Sequence, residues 1–421
     1  MDRMLKLFLL GTLIVLISSA SMSRAQTISG FVQVVGKRIV DGSGKDVFLR
    51  GTNLGNWLVP EGYMFMLDRG AASPRELERL FNELIGPAAA DEFWREYRRH
   101  YITREDIKFL HKAGFNSIRI PLHYKFFLSD NSEGFNLLDQ VVGWARDEGI
   151  WVILDLHCAP GGQTGTNIDD SWGYPWLFES RSDQDLSVEI WTRIAHHYRN
   201  EPTVLGYDLL NEPVPPFTQI ARYYGAIEPL YRRMAAAIRQ VDKRHIIILE
   251  GSQWDGNFGI FGPPFLENVV YEFHMYWTPP TRPLIQQYLD FRDRHNVPVW
   301  LGESGENDDR WIQSLVRLLE DNEVGWCFWP YKKMMNQSGV TSFRKPEYWD
   351  EIIAYAEVPG TSAAAEKRLS ARPPLEHSRR ALEDLLRQIR FEQCVLNADY
   401  LRALGLNAAA IELQSSSTER K

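Results

Sequence analysis

Two glutamates follow short apolar runs in this 421-residue sequence, and both have a side chain suited to acid–base chemistry. Glu212 stands in the stretch "LLNEP", and Glu303 stands in the stretch "LGESG". A carboxylic acid that protonates a leaving oxygen, together with a carboxylate that attacks or activates water, is the pair that breaks a glycosidic bond. The alternative is that one or both glutamates form structural salt bridges. The residue types favour a hydrolase, provided that the fold brings the two side chains together.

Arg119 and Tyr276 lie at the ends of other apolar runs and are suited to setting the charge of one of these carboxyls. A nearby cation or a donated hydrogen bond lowers the pKa of a carboxyl group, so these two residues would keep Glu303 ionised as a nucleophile. Glu212 would then be the acid, and its pKa must be raised by burial and by the like charge of Glu303. The sequence thus predicts different roles for the two glutamates.

The spacing of neighbouring residues restricts how two of the strands can end. His274 and Tyr276 are two residues apart, so on one strand both side chains can face the interior. Asn211 and Glu212 are adjacent, and strict alternation along a strand would direct only one of them inward. Both can serve one site only if the strand breaks there, and Pro213 supplies a physical reason for such a break.

A repeated alternation of strands and helices must position these residues. Eight short runs, mostly of Val, Ile and Leu, are predicted as strands of a parallel sheet that is buried on both faces. Eight is the strand number of a (β/α)8 TIM barrel, and the first strand lacks the G-x-G-x-x-G turn of an open dinucleotide-binding sheet. In a barrel the carboxyl ends of all strands share one rim, where distant residues meet. The predicted strands are Val47–Thr52, Ser117–Leu122, Trp151–His157, Val204–Leu210, His245–Glu250, Val269–Tyr276, Val299–Gly302 and Gly325–Trp329.

The predicted barrel occupies residues 26–357 and begins with a hairpin formed by Phe31–Val35 and Lys37–Val40. Residues 358–421 are predicted as a linker up to Pro374, then a helical extension packed on the barrel, and a disordered end. Between the strands, apolar residues recur at helical spacing. The predicted helices are Thr103–Ala113, Leu137–Glu148, Leu186–Tyr198, Ile220–Val241, Leu284–Arg294, Asp309–Asn322 and Pro346–Tyr355.

The first 25 residues have the pattern of a cleaved export signal. Basic Arg3 and Lys6 precede the apolar run Leu7–Ile17, and small residues lead to Ala25. The apolar run is shorter than the roughly 18–20 residues that a membrane anchor needs. We therefore expect cleavage after Ala25, no membrane span in the mature chain, and a secreted or periplasmic location.

Charge and composition exclude several classes of partner. The formal net charge of the full sequence is −8, and removal of residues 1–25, which carry a net +2, changes it to −10. This acidic balance argues against nucleic acid and anionic lipid as partners. The sequence also contains 14 Trp, 17 Tyr and 21 Phe, flat rings that stack on sugars or fill a large core. We expect a monomer that needs neither a metal nor another cofactor.

Seven stretches carry a resemblance to a known family: "LRGTNLGNW", "NSIRIP", "VILDLH", "LLNEP", "FHMYW", "LGESG" and "GWCFWPYKKM". In this order they resemble glycoside hydrolase family 5, a large family of retaining β-glycosidases that contains many cellulases. The resemblance implies a (β/α)8 barrel with Glu212 as acid/base and Glu303 as nucleophile. It also implies that Arg119 and Tyr276 hydrogen-bond the nucleophile.

The resemblance implies roles for four further residues. Asn211 would contact the substrate 2-hydroxyl, His157 and His274 would shape the site around the cleaved bond, and Trp329 would be the sugar platform. All these positions carry the expected residue type. An active enzyme is therefore favoured over the alternative of a catalytically silent, sugar-binding barrel.

The substrate that the resemblance implies is a β-linked glucan. The loop Cys158–Phe178 and the stretch "NLGNWL" resemble family members that act on β-1,3-glucans, whereas "WPYKKM" and the helical tail resemble bacterial members. We expect endo-cleavage of β-1,4 or mixed β-1,3/1,4 links, with a β-mannanase, an exo-β-1,3-glucanase and a glycolipid glycosidase as alternatives. The tryptophans expected to stack on sugars are Trp57, Trp172, Trp176 and Trp277.

Overall fold

The computed structural model describes residues 28–130 and 132–411. Strands β1 (Gln33–Val35) and β2 (Arg38–Val40) pair antiparallel and form the predicted hairpin. The barrel strands are β3 (Arg50–Asn53), β4 (Ser117–His123), β5 (Trp151–Cys158), β6 (Val204–Asp208), β7 (Ile246–Glu250), β8 (Val269–His274), β9 (Val299–Glu303) and β10 (Gly325–Phe328). They run parallel in chain order, and β10 pairs with β3 to close the ring. The predicted (β/α)8 barrel is confirmed.

Helices connect the barrel strands, and capping boxes in the first turn explain where two of them begin. Thr103 and Asp106 form a capping box that satisfies free backbone N–H groups at the start of a predicted helix. Two helices before it were not predicted, although Ser73 and Glu76 form a capping box around Pro74 at the start of the first. The helices up to the end of the barrel are α1 (Pro74–Ile85), α2 (Pro87–Tyr101), α3 (Arg104–Ala113), α4 (Glu133–Glu148), α5 (Arg181–Tyr198), α6 (Tyr224–Val241), α7 (Arg282–His295), α8 (Asp309–Glu320) and α9 (Trp349–Ala356).

The barrel interior changes from apolar to polar along its axis. Every residue of β4 and β5 is buried, as expected for strands covered on both faces. On β5 the alternating side chains Trp151 and Ile153 belong to an apolar cluster that also holds Val32 and Ile39 at the hairpin end. The next side chain on that face is the fully buried Asp155. Charged groups are therefore collected near the carboxyl rim.

The chain beyond the barrel packs against its helices. Residues 358–374, predicted as a linker, contain the helix α10 (Ala365–Ala371), and α11 (Leu375–Gln388) lies against α1 and α2. Lys332 secures this arrangement, because its buried Nζ lies 2.7 Å from an Asp106 oxygen and donates to the backbone carbonyl of Ile389. Small strands β11 (Lys332–Met334), β12 (Thr341–Phe343) and β13 (Val395–Leu396) and the helix α12 (Ala398–Ala403) complete the extension.

The predicted export signal, residues 1–25, and the predicted disordered end, residues 415–421, lie outside the described residues. Within the described ranges, no helix combines the length and the hydropathy needed to cross a bilayer.

Replacing Gly302 of β9 by alanine is expected to lower the free energy of unfolding by about 3 kcal/mol or more. A Cβ at this position would lie 1.3 Å from Oε1 of Glu272, which is buried among other carboxyls and cannot retreat into solvent. Gly143→Ala in α4 is the control, since a Cβ there meets nothing within 4 Å and alanine favours a helix. Urea unfolding measures both, and a Gly302→Ala protein as stable as the parent would disprove this packing.

Candidate active site

A cavity of about 950 Å³ opens at the carboxyl end of the barrel strands. Several side chains that the sequence singled out line it together, which agrees with a common rim for all strand ends. They are His157, Glu212, His274, Tyr276, Trp277, Glu303 and Trp329. Arg119 and Asn211 lie directly beneath and are fully buried.

Glu212 and Glu303 face each other across the cavity floor. One carboxylate oxygen of each lies within 4.8 Å of the other and of a ring nitrogen of His274. The Nδ1 atom of His274 is 3.0 Å from Oε1 of Glu212 and 3.7 Å from Oε2 of Glu303. This spacing is shorter than the separation of about 6.5–9.5 Å that inverting enzymes keep between their two carboxyl groups.

Glu303 is held by the two residues that the sequence assigned to it. Nη1 of Arg119 donates to Oε1 of Glu303 at 2.6 Å, and the Tyr276 hydroxyl donates to Oε2 at 3.0 Å. Both carboxylate oxygens therefore have a partner, so the group is fixed in orientation. Tyr276 lies just beyond the end of β8, whereas His274 is the last residue of that strand.

The predicted break of the fourth barrel strand is confirmed. β6 ends at Asp208, and Glu212 has a φ of 44°, which turns the backbone out of the extended conformation. The backbone N–H of Glu212 donates to Oε2 of Glu250 at 2.6 Å. Asn211 remains directed inward, where its Oδ1 accepts from Nη2 of Arg119 at 2.9 Å. Adjacent residues thereby reach the same site.

The two glutamates differ in how strongly their protons are held. Burial raises the pKa of Glu212 well above its ordinary value, and the like charge of Glu303 raises it further. Burial also raises the pKa of Glu303, but the charge of Arg119 and the hydrogen bond from Tyr276 oppose the rise. A proton shared by the pair therefore resides on Glu212, in the arrangement that the sequence predicted.

The two histidines at the cavity are neutral. Burial lowers the pKa of His274 well below its ordinary value, and the nearby charge of Arg119 lowers it further. Burial lowers the pKa of His157 to about 4. His274 lies at hydrogen-bond distance from Glu212, and in its neutral form it adds no charge that would ionise Glu212, whereas Nδ1 of His157 lies 2.8 Å from Oδ2 of Asp155.

A group of buried carboxyls beneath the site was largely missed in the sequence. Nη2 of Arg119 lies 2.7 Å from Asp208, 2.9 Å from Glu250 and 3.3 Å from Asp155. Burial raises the pKa of Asp155 to about 7 and that of Asp208 to about 6. Burial also raises the pKa of Glu250 well above its ordinary value. The sequence pattern that could have indicated these carboxyls is a single acidic residue within each of the apolar strands.

A second cluster of buried carboxyls lies next to His274 and shares Glu250 with the first. Glu250, Asp255, Glu272 and His274 each place a ligand atom within 4.8 Å of the others, a spacing that would also accommodate a metal ion. Burial raises the pKa of all three carboxyls well above their ordinary values. The protonated form of a carboxyl carries no charge, so a raised pKa lowers the cost of burying these groups together.

Trp329 forms part of the cavity floor beside two residues that the sequence did not single out. Its ring lies parallel to that of His157 at 5.6 Å, and its Nε1 donates to the Tyr63 hydroxyl at 2.6 Å. Glu61 lines the same end of the cavity, and burial, then the charge of Glu303, raises its pKa well above the ordinary value. A lone acid in the apolar stretch "WLVPEGYMFM" is the pattern that could have indicated Glu61.

Three of the four tryptophans predicted to stack on sugar, Trp57, Trp172 and Trp176, do not line the cavity. Trp57 is 1% exposed and its Nε1 donates to the carbonyl of Arg98, so that prediction is wrong. Trp172 is exposed, but it lies under the guanidinium of Arg75, 3.5 Å from the ring centre. The loop after β5 folds back because Asp169 accepts from the backbone N–H of Gln163, and this fold presents residues 166–168 to the cavity instead.

Trp176, from the same loop, is half-exposed beside Tyr174 and also lies outside the cavity lining. Trp277 does line the cavity, and 73% of it is exposed. Its Nε1 donates to the carbonyl of Glu306 at 3.3 Å, which orients the ring at the rim. Of the four predicted tryptophans, Trp277 alone is among the described residues that line the cavity, together with Trp329 and with Trp254, which the sequence did not single out.

Comparisons with known proteins agree with this geometry. The family model described as cellulase (glycosyl hydrolase family 5) matches residues 85–335. A β-xylosidase of Phanerodontia chrysosporium is 27% identical over 368 residues, covering 76% of this chain and 74% of the relative. Endoglucanase C of Acetivibrio thermocellus is 23% identical over 316 residues, covering 58% of this chain and 87% of the relative.

Among solved structures, rutinosidase from Aspergillus niger superposes with a TM-score of 0.54 at 19% sequence identity. The match covers 69% of this chain and 91% of the rutinosidase chain. At this identity the likeness concerns the fold, and it agrees with the closed barrel described above.

Proposed function

The chain belongs to glycosyl hydrolase family 5 and is a glycosidase, and we propose that it cleaves β-linked glucan with retention of configuration. The observation that carries the proposal is the carboxyl pair: an oxygen of Glu212 and one of Glu303 lie within 4.8 Å of each other. Retaining enzymes hold the two carboxyl groups about 5–5.5 Å apart, whereas inverting enzymes separate them by about 6.5–9.5 Å. Glu303 is the proposed nucleophile and Glu212 the proposed acid/base.

In the first step, a carboxylate oxygen of Glu303 forms a bond to the anomeric carbon while the bond to the leaving oxygen breaks. Glu212 transfers its proton to that oxygen, so the leaving group departs as a neutral alcohol. Arg119 and Tyr276 keep Glu303 anionic and in line for attack. A covalent glycosyl ester on Glu303 results.

In the second step, Glu212 is the base, because it lost its proton in the first. It removes a proton from a water molecule whose oxygen bonds to the anomeric carbon, and the ester bond to Glu303 breaks. Glu212 regains a proton and Glu303 its charge, so the pair returns to its starting state. Asn211, fixed by Arg119, is placed to hydrogen-bond the sugar hydroxyl next to the reacting carbon.

The proposed substrate is a β-1,4 or mixed-linkage β-1,3/1,4 glucan cleaved internally, by an enzyme exported from the cytoplasm. Support comes from the family and from the relative named endoglucanase C. Release of sugar from barley β-glucan and carboxymethylcellulose, compared with mannan, laminarin and glucosylated lipid, tests the proposal. Faster release from mannan, from laminarin ends or from the lipid would replace it by the corresponding alternative.

The pH dependence of kcat/KM is expected to be bell-shaped. The rate falls on the acid side as Glu303 becomes protonated, and on the alkaline side as Glu212 loses its proton. Burial raises the pKa of both groups, which places the optimum above that of a solvent-exposed carboxyl pair. Because the pair is coupled, the two apparent values belong to the pair. Glu212→Gln should remove the alkaline limb, and its persistence would assign the acid to another group.

A further inference from the structure

Glu250 takes no part in the two chemical steps of the proposed reaction, yet it contacts groups that hold both reacting carboxyls. It is fully buried, and each of its carboxyl oxygens accepts from a different donor. Oε2 accepts from the backbone N–H of Glu212 at 2.6 Å, and Oε1 accepts from Nη2 of Arg119 at 2.9 Å. Arg119 in turn donates to Glu303. Glu250 therefore joins the backbone of the proposed acid to the guanidinium that holds the proposed nucleophile.

The backbone of the proposed acid needs a hydrogen-bond acceptor from another part of the chain. β6 ends at Asp208, and Glu212 has a φ of 44°, so Glu212 lies outside the hydrogen-bond ladder of the barrel sheet. Among the described residues, the one acceptor of its N–H is Oε2 of Glu250. An N–H that loses its acceptor in a protein interior destabilises the conformation that placed it there. Glu250 therefore stabilises the turn that carries Glu212.

The peptide group between Asn211 and Glu212 is held at both of its ends. The carbonyl of Asn211 accepts from Nε2 of the buried Gln163 at 2.9 Å, while the N–H of Glu212 donates to Glu250. Gln163 is itself fixed, because its own carbonyl accepts from the backbone N–H of Val214 at 3.1 Å. The carbonyl and the N–H of a trans peptide point in opposite directions, so the two bonds fix the plane of the peptide. The side-chain torsions are the freedom that remains to Glu212.

Glu250 is itself carried by a rigid element. It is the last residue of β7 and pairs with Glu272 of β8 in the barrel sheet. The Tyr231 hydroxyl of α6 donates to the Glu250 carbonyl at 3.0 Å. A support on a strand holds a reacting group more precisely than a support on a loop. The backbone of Glu212 is thereby anchored to the barrel sheet, although Glu212 lies beyond the end of β6.

We propose that Glu250 is a positioning residue for the acid, and that its bond to the Glu212 backbone places the Glu212 carboxyl where the leaving oxygen can receive the proton. This inference rests on the proposed function of Glu212. A displacement of about 1 Å in a reacting group can cost about 100-fold in rate. A leaving group that must be protonated is sensitive to such a displacement of the acid, whereas one that leaves as a stable anion is not. Loss of Glu250 should therefore slow the two kinds of substrate unequally.

The test is the ratio of kcat/KM for 2,4-dinitrophenyl β-glucoside to kcat/KM for phenyl β-glucoside. Both values report the first chemical step, and their ratio does not depend on the folded fraction of a preparation. The ratio is expected to rise at least about tenfold in Glu250→Ala. Glu250→Met, which fills the volume and also lacks the carboxyl acceptor, should show the same rise if the alanine variant fails to fold. A ratio equal to that of the parent protein would overturn the proposal.

Asp208→Ala is the matched control, because Asp208 is another buried carboxyl that supports Arg119. Its Oδ2 accepts from Nη2 of Arg119 at 2.7 Å, and among the described residues it has no hydrogen bond to Glu212. Loosening Arg119 weakens the nucleophile, which both substrates need, so both rates should fall by the same factor and the ratio should stay unchanged. A rise in the ratio as large as that in Glu250→Ala would assign the effect to Arg119 and contradict the proposal.

Amide hydrogen exchange separates this proposal from the proposed function. In protein labelled with ¹⁵N-glutamate, the Glu212 amide should exchange at least about tenfold faster in Glu250→Met than in the parent protein, and at the parent rate in Asp208→Ala. Faster exchange in a protein that cleaves no β-glucoside would support the backbone support by Glu250 and refute the proposed glucan activity. Equal exchange in the parent and in Glu250→Met would refute the role of Glu250 even if glucan is cleaved.

Discussion

Glu303→Gln is expected to lower kcat on β-glucan by about four orders of magnitude or more, because it removes the proposed nucleophile. An amide has no negative charge to attack the anomeric carbon, and it cannot form the ester that water later cleaves. The amide also replaces an acceptor of the Arg119 and Tyr276 hydrogen bonds with a weaker one. Initial rates on barley β-glucan measure the loss.

A slow substrate distinguishes this role from a structural one. A 2-deoxy-2-fluoro glucoside with a good leaving group should leave one sugar attached to the parent protein, and mass spectrometry of peptides should place it on Glu303. The variant should acquire none. Glu267→Gln is the control, since Glu267 is exposed and distant from the cavity lining. Labelling of another carboxylate, or near-parent activity in Glu303→Gln, would contradict the assignment.

The barrel could be predicted because most of its strands lie in short apolar runs, as is typical of a parallel sheet that is buried on both faces. β4 and β5 each extend one residue beyond the predicted end, to His123 and Cys158. Pro121 and His157 do not interrupt these strands. Helices α1 and α2 were missed although α1 has a clear capping box. The capping box was visible in the sequence, but a (β/α)8 barrel needs only one helix between successive strands. Two additional helices between β3 and β4 were therefore not expected.

The proximity of Glu212 and Glu303 could be predicted because a barrel places all strand ends on one rim. Pro213 indicated that the strand before Glu212 breaks, although β6 ends at Asp208, two residues before the predicted end at Leu210. Loop residues could not be located in this way. Trp57 and Trp172 have the same ring as Trp277, and only the folded loops decide that Trp57 is buried and that Trp277 reaches the cavity.

The protonation states of the buried carboxyls, and not their positions alone, determine where negative charge lies near Arg119. Arg119 supplies one positive charge, yet Asp155, Asp208 and Glu250 all contact it, and Glu303 shares it. Buried charges are costly, and burial raises the pKa of Asp155 to about 7, that of Asp208 to about 6 and that of Glu250 well above its ordinary value. Glu250 therefore keeps its proton at neutral pH and Asp155 keeps it in part, which reduces the negative charge that competes with Glu303 for Arg119.

Glu212→Ala is expected to slow the cleavage of substrates with poor leaving groups by about 10²–10⁴-fold, the usual contribution of a general acid. The loss should depend on the leaving group. A sugar alkoxide needs the proton that Glu212 supplies, whereas 2,4-dinitrophenolate leaves without one. The first step with dinitrophenyl β-glucoside should therefore stay fast, and the second step, which needs Glu212 as a base, should limit turnover.

Azide tests that second step directly. It needs no base, so it should raise turnover of dinitrophenyl β-glucoside by Glu212→Ala and yield the β-glucosyl azide, because two displacements retain configuration. In Glu303→Ala, azide would instead attack the free substrate once and yield the α-azide. Opposite products from variants of two residues with oxygens less than 5 Å apart would assign each role separately. The same anomer from both variants, or rescue of neither, would refute the division of roles between Glu212 and Glu303.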